Sequence, residues 1–219
     1  MKNFICLTIV CLLVCSGCSF FKTKDEKTAV ELASDGMEAF EGGKYQKAID
    51  SFIKLKEWYP FSKYASLAEF KIAESYYYLK EYNEAVIAYE DFEKLHPRNE
   101  AVPYIIYQIG NCYFEQMDSV DRDQSSVKKA LDTYERLIKQ FPDDMYALKA
   151  KKNINECEKS LAGHELYVGI FYYKSKHYKP ALSRFKSLIV NFPDLGIHEK
   201  ALEYIRLCEK AIKENQEKD

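Results

Sequence analysis

The chain has 219 residues, with 32 Lys and Arg against 34 Asp and Glu and a formal net charge of −2. A near-neutral chain whose charges are interspersed offers no electrostatic footprint for nucleic acid. Aromatic residues make up 15% of it, led by 18 Tyr and 13 Phe, and their regular spacing is the chain's main structural signal.

At the amino terminus, Lys2 and an apolar run from Phe4 to Val14 precede the small residues Ser16 and Gly17. This is the charged, apolar and small-residue order of an export signal. It ends on Cys18 instead of an Ala-x-Ala site, and is similar to a bacterial lipobox, with Cys15 standing where an aliphatic residue is usual. Residues 1–17 are therefore read as a lipoprotein signal peptide. Cys18 is the lipidation site, its thiol taking a diacylglycerol and its new amino terminus an acyl chain. The apolar run is short of the ~20 residues that a spanning helix needs. A redox pair of Cys15 and Cys18 would need a folded strand–helix context that a leader lacks. Residues 18–28 read as a polar, lipidated tether. Beyond it lie Cys112, Cys157 and Cys208. Three cysteines permit at most one internal disulfide, and their places in helical patterns favour buried free thiols.

From residue 29 onward a pattern returns. Tyr45, Ala48, Phe52, Leu55 and Pro60 are matched by Tyr82, Ala85, Tyr89, Phe92 and Pro97. The same order recurs as Tyr178, Ala181, Phe185, Leu188 and Pro193, and without its first aromatic as Ala130, Tyr134, Leu137 and Pro142. Upstream of each stands a small residue with a second position three later: Gly36 and Ala39, Ala73 and Tyr76, Gly110 and Tyr113, Gly169 and Tyr172. Spacings of 3 and 4 place these residues on one helical face. Small residues let paired helices approach, an aromatic fills the gap to the next pair, and proline ends the second helix. The expected fold is all-α: a solenoid of about five tetratricopeptide-like helix pairs over residues 29–212.

Two departures from strict periodicity shape that solenoid. Pro97 and Pro142 are 45 residues apart, against 37 for Pro60 and Pro97, and the excess falls in the polar stretch from Met117 to Ser125. A long loop is predicted there. Pro142 and Pro193 are 51 apart, and little between Met145 and Lys174 interrupts a helical pattern. One long helix is predicted between repeats three and four. Glu199 to Ile212 forms a closing amphipathic helix, since solenoids need a cap. Residues 213–219 form a charged tail.

Leader, repeats and inserted segments, in this order, resemble the BamD/ComL (YfiO) family of outer-membrane β-barrel assembly lipoproteins. The residues that carry the likeness are Tyr59-Pro60-Phe61-Ser62 with Tyr64-Ala65, the loop Asp121-Arg122-Asp123-Gln124, and Leu161-Ala162-Gly163-His164-Glu165. The resemblance implies a lipid-anchored protein on the periplasmic face of the outer membrane, and Ser19 after the lipobox cysteine suits that destination. It implies carboxy-terminal repeats that hold a POTRA domain of the barrel protein BamA, beside other lipoproteins of the assembly machine. It also implies amino-terminal repeats that receive unfolded outer-membrane proteins. Arg184, with Tyr178 as its aromatic neighbour, is the implied partner-binding pair.

Grooves lined with aromatics suit extended peptides. Phe61, Tyr64, Tyr78 and Tyr45 are the candidates for a client-peptide groove, although Tyr45 also holds a repeat position that favours burial. Asp121, Arg122 and Asp123 are expected to brace their loop by side-chain to backbone bonds. No catalytic constellation is visible: His96, His164, His177 and His198 lack metal-ligand spacing, and no phosphate loop is present. The expectation is a non-enzyme with no cofactor and no metal. A repeat lipoprotein that scaffolds cell-wall or pilus assembly is the alternative function.

Overall fold

The computed structural model describes residues 27–217. The signal peptide, Cys18 and the tether up to residue 26 lie outside the described residues. Among the described residues there are nine helices: α1 (Ala29–Glu41), α2 (Tyr45–Trp58), α3 (Ala65–Tyr78), α4 (Tyr82–Leu95), α5 (Val102–Phe114), α6 (Ser125–Gln140), α7 (Met145–Lys174), α8 (Tyr178–Asn191) and α9 (His198–Gln216). They make four antiparallel hairpins and a ninth helix that stands as half of a fifth. Each helix packs on the next, and the substantial contacts between non-consecutive helices join α1 to α3, α5 to α7 and α7 to α9. First helices of the hairpins thus meet across repeats while second helices splay apart. The stack curves with α1, α3, α5 and α7 on its inner side.

The solenoid starts where a capping box is available. Thr28 Oγ1 accepts from the Glu31 amide at 3.3 Å, and the Thr28 amide donates to the Glu31 carboxylate at 2.8 Å. Together these satisfy two amide donors that the first turn would otherwise leave open. At each repeat a small residue faces a large ring. A Cβ built on Gly36 would lie 2.6 Å from Phe52, on Gly110 2.4 Å from Tyr134, and on Gly169 2.5 Å from Phe185. Phe52, Tyr134 and Phe185 are fully buried, as is Tyr89, which packs in one cluster with Ala73. Rings this large can be enclosed only because the opposing helix carries no side chain, or a methyl, at that point.

Second helices end alike. Tyr59, His96, Phe141 and Phe192 follow the last helical residue of α2, α4, α6 and α8, and each precedes a proline that forces its backbone out of the helical region. Short turns inside the hairpins are also shared. Gly43, Lys80 and Lys176 all take positive φ, and the next amide reaches back to Ala39, Tyr76 and Tyr172 respectively. That is the Schellman arrangement, which closes a helix on a left-handed residue.

Both insertions appear where the sequence puts them. The long loop covers 115–124, and α7 is continuous for 30 residues, about 45 Å. Its first half packs on α5 and α6 through Ala147, Ala150, Cys157 and Leu161, its second half on α8 and α9 through Ala162. Cys112, Cys157 and Cys208 are buried and unpaired. One boundary differs from expectation: α9 continues through Gln216 rather than stopping at Ile212. Lys and Glu favour helix, and the spacing of Lys210 with Glu214 and Lys213 with Glu217 aligns charges along it.

Candidate partner-binding surfaces

On the inner side, a polar ladder crosses four helices. Lys71 Nζ and Tyr104 Oη donate to the two oxygens of Glu74 at 2.7 and 2.8 Å. Gln108 donates to Tyr104 Oη at 2.9 Å, and Asn111 to Gln108 at 2.6 Å. Tyr134 Oη donates to Asn111 at 2.7 Å and itself accepts from Asn153 at 2.9 Å. Every donor points toward the Glu74 end, so each bond polarises the next. Burial, then the Glu74 carboxylate, push the Tyr104 hydroxyl far above its ordinary range, so it stays a donor. Lys71 also lies 4.2 Å over the Phe40 ring, a cation held against an aromatic face.

Phe40 begins an aromatic cluster. Its ring meets Tyr45 and Tyr78 edge-on at 5.6 and 5.7 Å, and Tyr45 and Tyr78 stack on each other at 4.9 Å. Tyr78 is half exposed, Tyr45 less so. Phe61 and Tyr64 belong elsewhere. Tyr64 caps the start of α3 while Tyr78 ends it, and this 14-residue helix spans about 21 Å. The four aromatics predicted to line one groove therefore sit at opposite ends of the amino-terminal repeats. Phe61 points wholly into solvent, with 101% of its surface exposed. Phe40, Lys71 and Glu74, which the sequence did not single out, are the groups that join the Tyr45–Tyr78 pair.

Toward the carboxy-terminal repeats, loop 115–124 is fastened onto α7. Val120 packs on Gly163, where an added Cβ would stand 3.1 Å from its methyl, and His164 Nδ1 donates to the Val120 carbonyl at 2.6 Å. Gln124, only 5% exposed, donates to the Ser119 and Arg122 carbonyls at 3.1 Å each and accepts from Ser160 Oγ at 3.0 Å. Asp121 accepts from Ser119 Oγ, and Asp123 takes the amide and hydroxyl of Ser125 at 3.2 and 3.0 Å. These hydrogen bonds hold both carboxyls below their usual range. Arg122 contributes its backbone carbonyl, and its guanidinium makes no hydrogen bond or ion pair among the described residues.

Arg184, on α8, is engaged within the chain. Its Nη1 donates to both oxygens of Glu165 on α7, at 3.1 and 3.2 Å. The pair borders a shallow depression of about 240 Å³ that is also lined by Arg122, Asp123 and Lys128. Loop and arginine, far apart in sequence, thus face one hollow. Tyr172 shares a second small recess with Arg184 and Glu165. Tyr178 instead packs against Tyr173 at 5.6 Å, at the turn between α7 and α8. Among the described residues no group of His, Cys, Asp and Glu is arranged to hold a metal, and no helix is long and apolar enough to cross a membrane.

Comparison with known proteins agrees with this architecture. The family model described as YfiO, outer membrane lipoprotein, matches residues 25–219. The outer membrane protein assembly factor BamD of Rickettsia prowazekii is 29% identical over 211 residues, covering 88% of this chain and 84% of its own. BamD of Neisseria gonorrhoeae is 25% identical over 99% of this chain and 87% of its own. BamD of Caulobacter vibrioides is 29% identical over 84% of this chain, which spans 63% of that relative's length. Those relatives bear the name of an assembly factor rather than of an enzyme. The TPR2AB domain of yeast Sti1, solved in its pHSP90 complex, superposes with a TM-score of 0.51 at 16% identity over 84% of this chain and 74% of its own, which speaks for the fold alone. With its repeats and both insertions inside the matched span, the chain belongs to the YfiO/BamD family of outer membrane lipoproteins.

Proposed function

We propose that this protein is a non-catalytic, lipid-anchored assembly factor that holds a POTRA domain of a BamA-type barrel protein while its amino-terminal repeats receive unfolded outer-membrane proteins. Acylation of Cys18 would place it on the periplasmic face of the outer membrane, beside other lipoproteins of the machine. The observation that carries this reading is the separation of two dissimilar surfaces along one rigid stack. An aromatic cluster beside the Lys71–Glu74 end of the polar ladder occupies the early repeats. A loop-and-arginine hollow occupies the late ones, and α7 spans the distance.

In this reading Tyr45 and Tyr78, with Phe40 and Lys71 beside them, offer apolar and cationic contacts to an extended client. Tyr64 borders the opposite end of the same repeats. Arg184 and the loop bearing Arg122 face the folded partner. Arg184 would exchange or share its Glu165 contact with a partner carboxylate, which suits an arginine whose planar fork can serve two acids. Tyr178 supports the turn beneath α8.

Affinity capture of the native lipoprotein from detergent extracts, followed by mass spectrometry, should recover the barrel protein. Depletion should lower outer-membrane protein levels. Normal porin levels after depletion would overturn the reading.

A further inference from the structure

The connection between α2 and α3 differs from its counterparts in a way that packing does not explain. The residue after the helix-ending proline is Arg98, Asp143 and Asp194 in the later repeats, and Phe61 in the first. Likewise the last residue of the second helix is Leu95, Gln140 and Asn191 later, but Trp58 here. Phe61 is fully exposed and Trp58 is 48% exposed. The backbone that displays them is fixed: the Ser62 amide donates to the Tyr59 carbonyl at 3.0 Å and the Ala65 amide to the Ser62 carbonyl at 2.9 Å, with Ser62 Oγ accepting from Tyr64. Exposed Lys54, Lys56 and Lys63 flank the pair, and Glu57 is the one acid from Ile53 to Tyr64.

This end of the molecule is also where the anchored terminus arrives. Tyr59 Oη donates to the Lys27 carbonyl at 3.1 Å, tying the start of the described chain to the same turn. From Lys27 back to Cys18 is nine residues, a reach of at most about 30 Å. A leash that short keeps the turn facing whatever holds the lipid. Aromatic rings ringed by lysines match the boundary between acyl chains and anionic headgroups.

We propose that Trp58, Phe61 and the adjoining lysines form a bilayer-contacting surface that seats the first repeat on the phospholipid leaflet carrying its anchor. The proposal rests on the lipoprotein reading of Cys18. Phe61 wedges among the acyl chains, Trp58 lies at headgroup depth, and Lys54, Lys56 and Lys63 meet lipid phosphates. The first repeat is thereby oriented, and the solenoid stands away from the membrane at a set angle.

Trp58 is the chain's single tryptophan and so reports on its own surroundings. The acylated full-length protein would be reconstituted into phosphatidylethanolamine–phosphatidylglycerol vesicles with and without brominated acyl chains. Brominated lipid should quench Trp58 emission, and Phe61→Ser should reduce that quenching while leaving the helical circular dichroism unchanged. In the unacylated Cys18→Ser chain, Phe61→Ser should weaken vesicle binding by about tenfold. Unquenched emission from protein whose mass shows the acyl chains overturns the surface while the family reading stands. A chain recovered without acyl groups removes the tether and overturns both the surface and the lipidation reading of Cys18. If emission instead responds to an alternating aromatic peptide ending in phenylalanine and not to vesicles, the turn binds clients, and the proposal fails.

Discussion

Val120 rests on Gly163, and this one contact makes the two insertions a single device. Lengthening α7 carries its middle, Ser160 to His164, past the end of the third hairpin. Loop 115–124 folds over that stretch. Gly163 provides the space, His164 holds the Val120 carbonyl, and Ser160 meets Gln124. Replacing buried Gln124 with alanine removes three hydrogen bonds and strands the Arg122 carbonyl and the Ser160 hydroxyl, while the Ser119 carbonyl keeps the Arg122 amide. A loss of about 2–3 kcal/mol is expected in denaturant unfolding. Amides of residues 117–124 should exchange faster with solvent than in the parent, and unchanged exchange there would show that Gln124 does not hold the loop.

Gly110 is expected to resist even alanine. Its missing Cβ would stand 2.4 Å from the Tyr134 ring, which is itself pinned by Asn111 and Asn153. Alanine gains about 1 kcal/mol in helix propensity. Overpacking against a ring that cannot retreat should still leave Gly110→Ala about 1–2 kcal/mol less stable in denaturant melts. A neutral or stabilising result would mean that α5 and α6 can separate without cost.

Lys176 invites the opposite change. It holds φ of 61° at the turn between α7 and α8, where glycine carries no Cβ penalty. Lys176→Gly should raise stability by about 0.5–1 kcal/mol, read as a shift in the denaturant midpoint at constant slope. Gly43 already occupies the matching position in the first hairpin, so the substitution imports a geometry that the fold uses.

The repeat positions were legible in the sequence because they answer to local spacing: a face repeated every three and four residues must be buried, and the rings at Phe52, Tyr89, Tyr134 and Phe185 are. The surfaces were less legible, for identifiable reasons. Glu165 and Arg184 are 19 positions apart on two helices, and nothing in either segment marks the other as its partner. Gln124 reads as a solvated loop residue, yet it is the buried hub of the loop, whereas its more conspicuous neighbour Arg122 lends only a carbonyl. Tyr64 and Tyr78 are near in sequence, but a helix converts that nearness into distance. A pattern does carry the signal for Phe61: comparing the residue after each helix-ending proline would have marked it as the odd one.

Alkaline pH should unfold the protein before neutral or mildly acidic pH does. Burial raises the Cys112 and Cys157 thiols from 9.0 to about 12, and burial with the nearby Glu115 raises Tyr77 from 10.0 to about 12. The native state keeps these protons after the unfolded chain has lost them. Their stabilisation is therefore complete below pH 9 and declines as pH rises toward 12. Thermal midpoints should fall as pH rises from 9 toward 12, the window set by those ionisations. At about pH 8, below those ionisations, a thiol-specific colorimetric reagent should label none of Cys112, Cys157 and Cys208 until denaturant is added. Rapid labelling of the native protein would contradict their burial.

Arg184 offers the sharpest test of the late repeats, because its contact within the chain can be separated from any contact outside it. The guanidinium is 44% exposed and Glu165 19%, so breaking their pair should change stability by less than about 1 kcal/mol. Arg184→Glu places two acids together and should abolish recovery of the barrel protein in affinity capture. Glu165→Arg combined with Arg184→Glu restores the internal ion pair with its charges exchanged. If Arg184 serves only to hold α8 against α7, the double variant regains capture. If Arg184 meets a partner carboxylate, the double variant remains defective while Arg184→Glu and its parent share one circular dichroism spectrum. The proposed partner role requires the second outcome, and restored capture by the double variant would assign Arg184 to the packing of its own repeat.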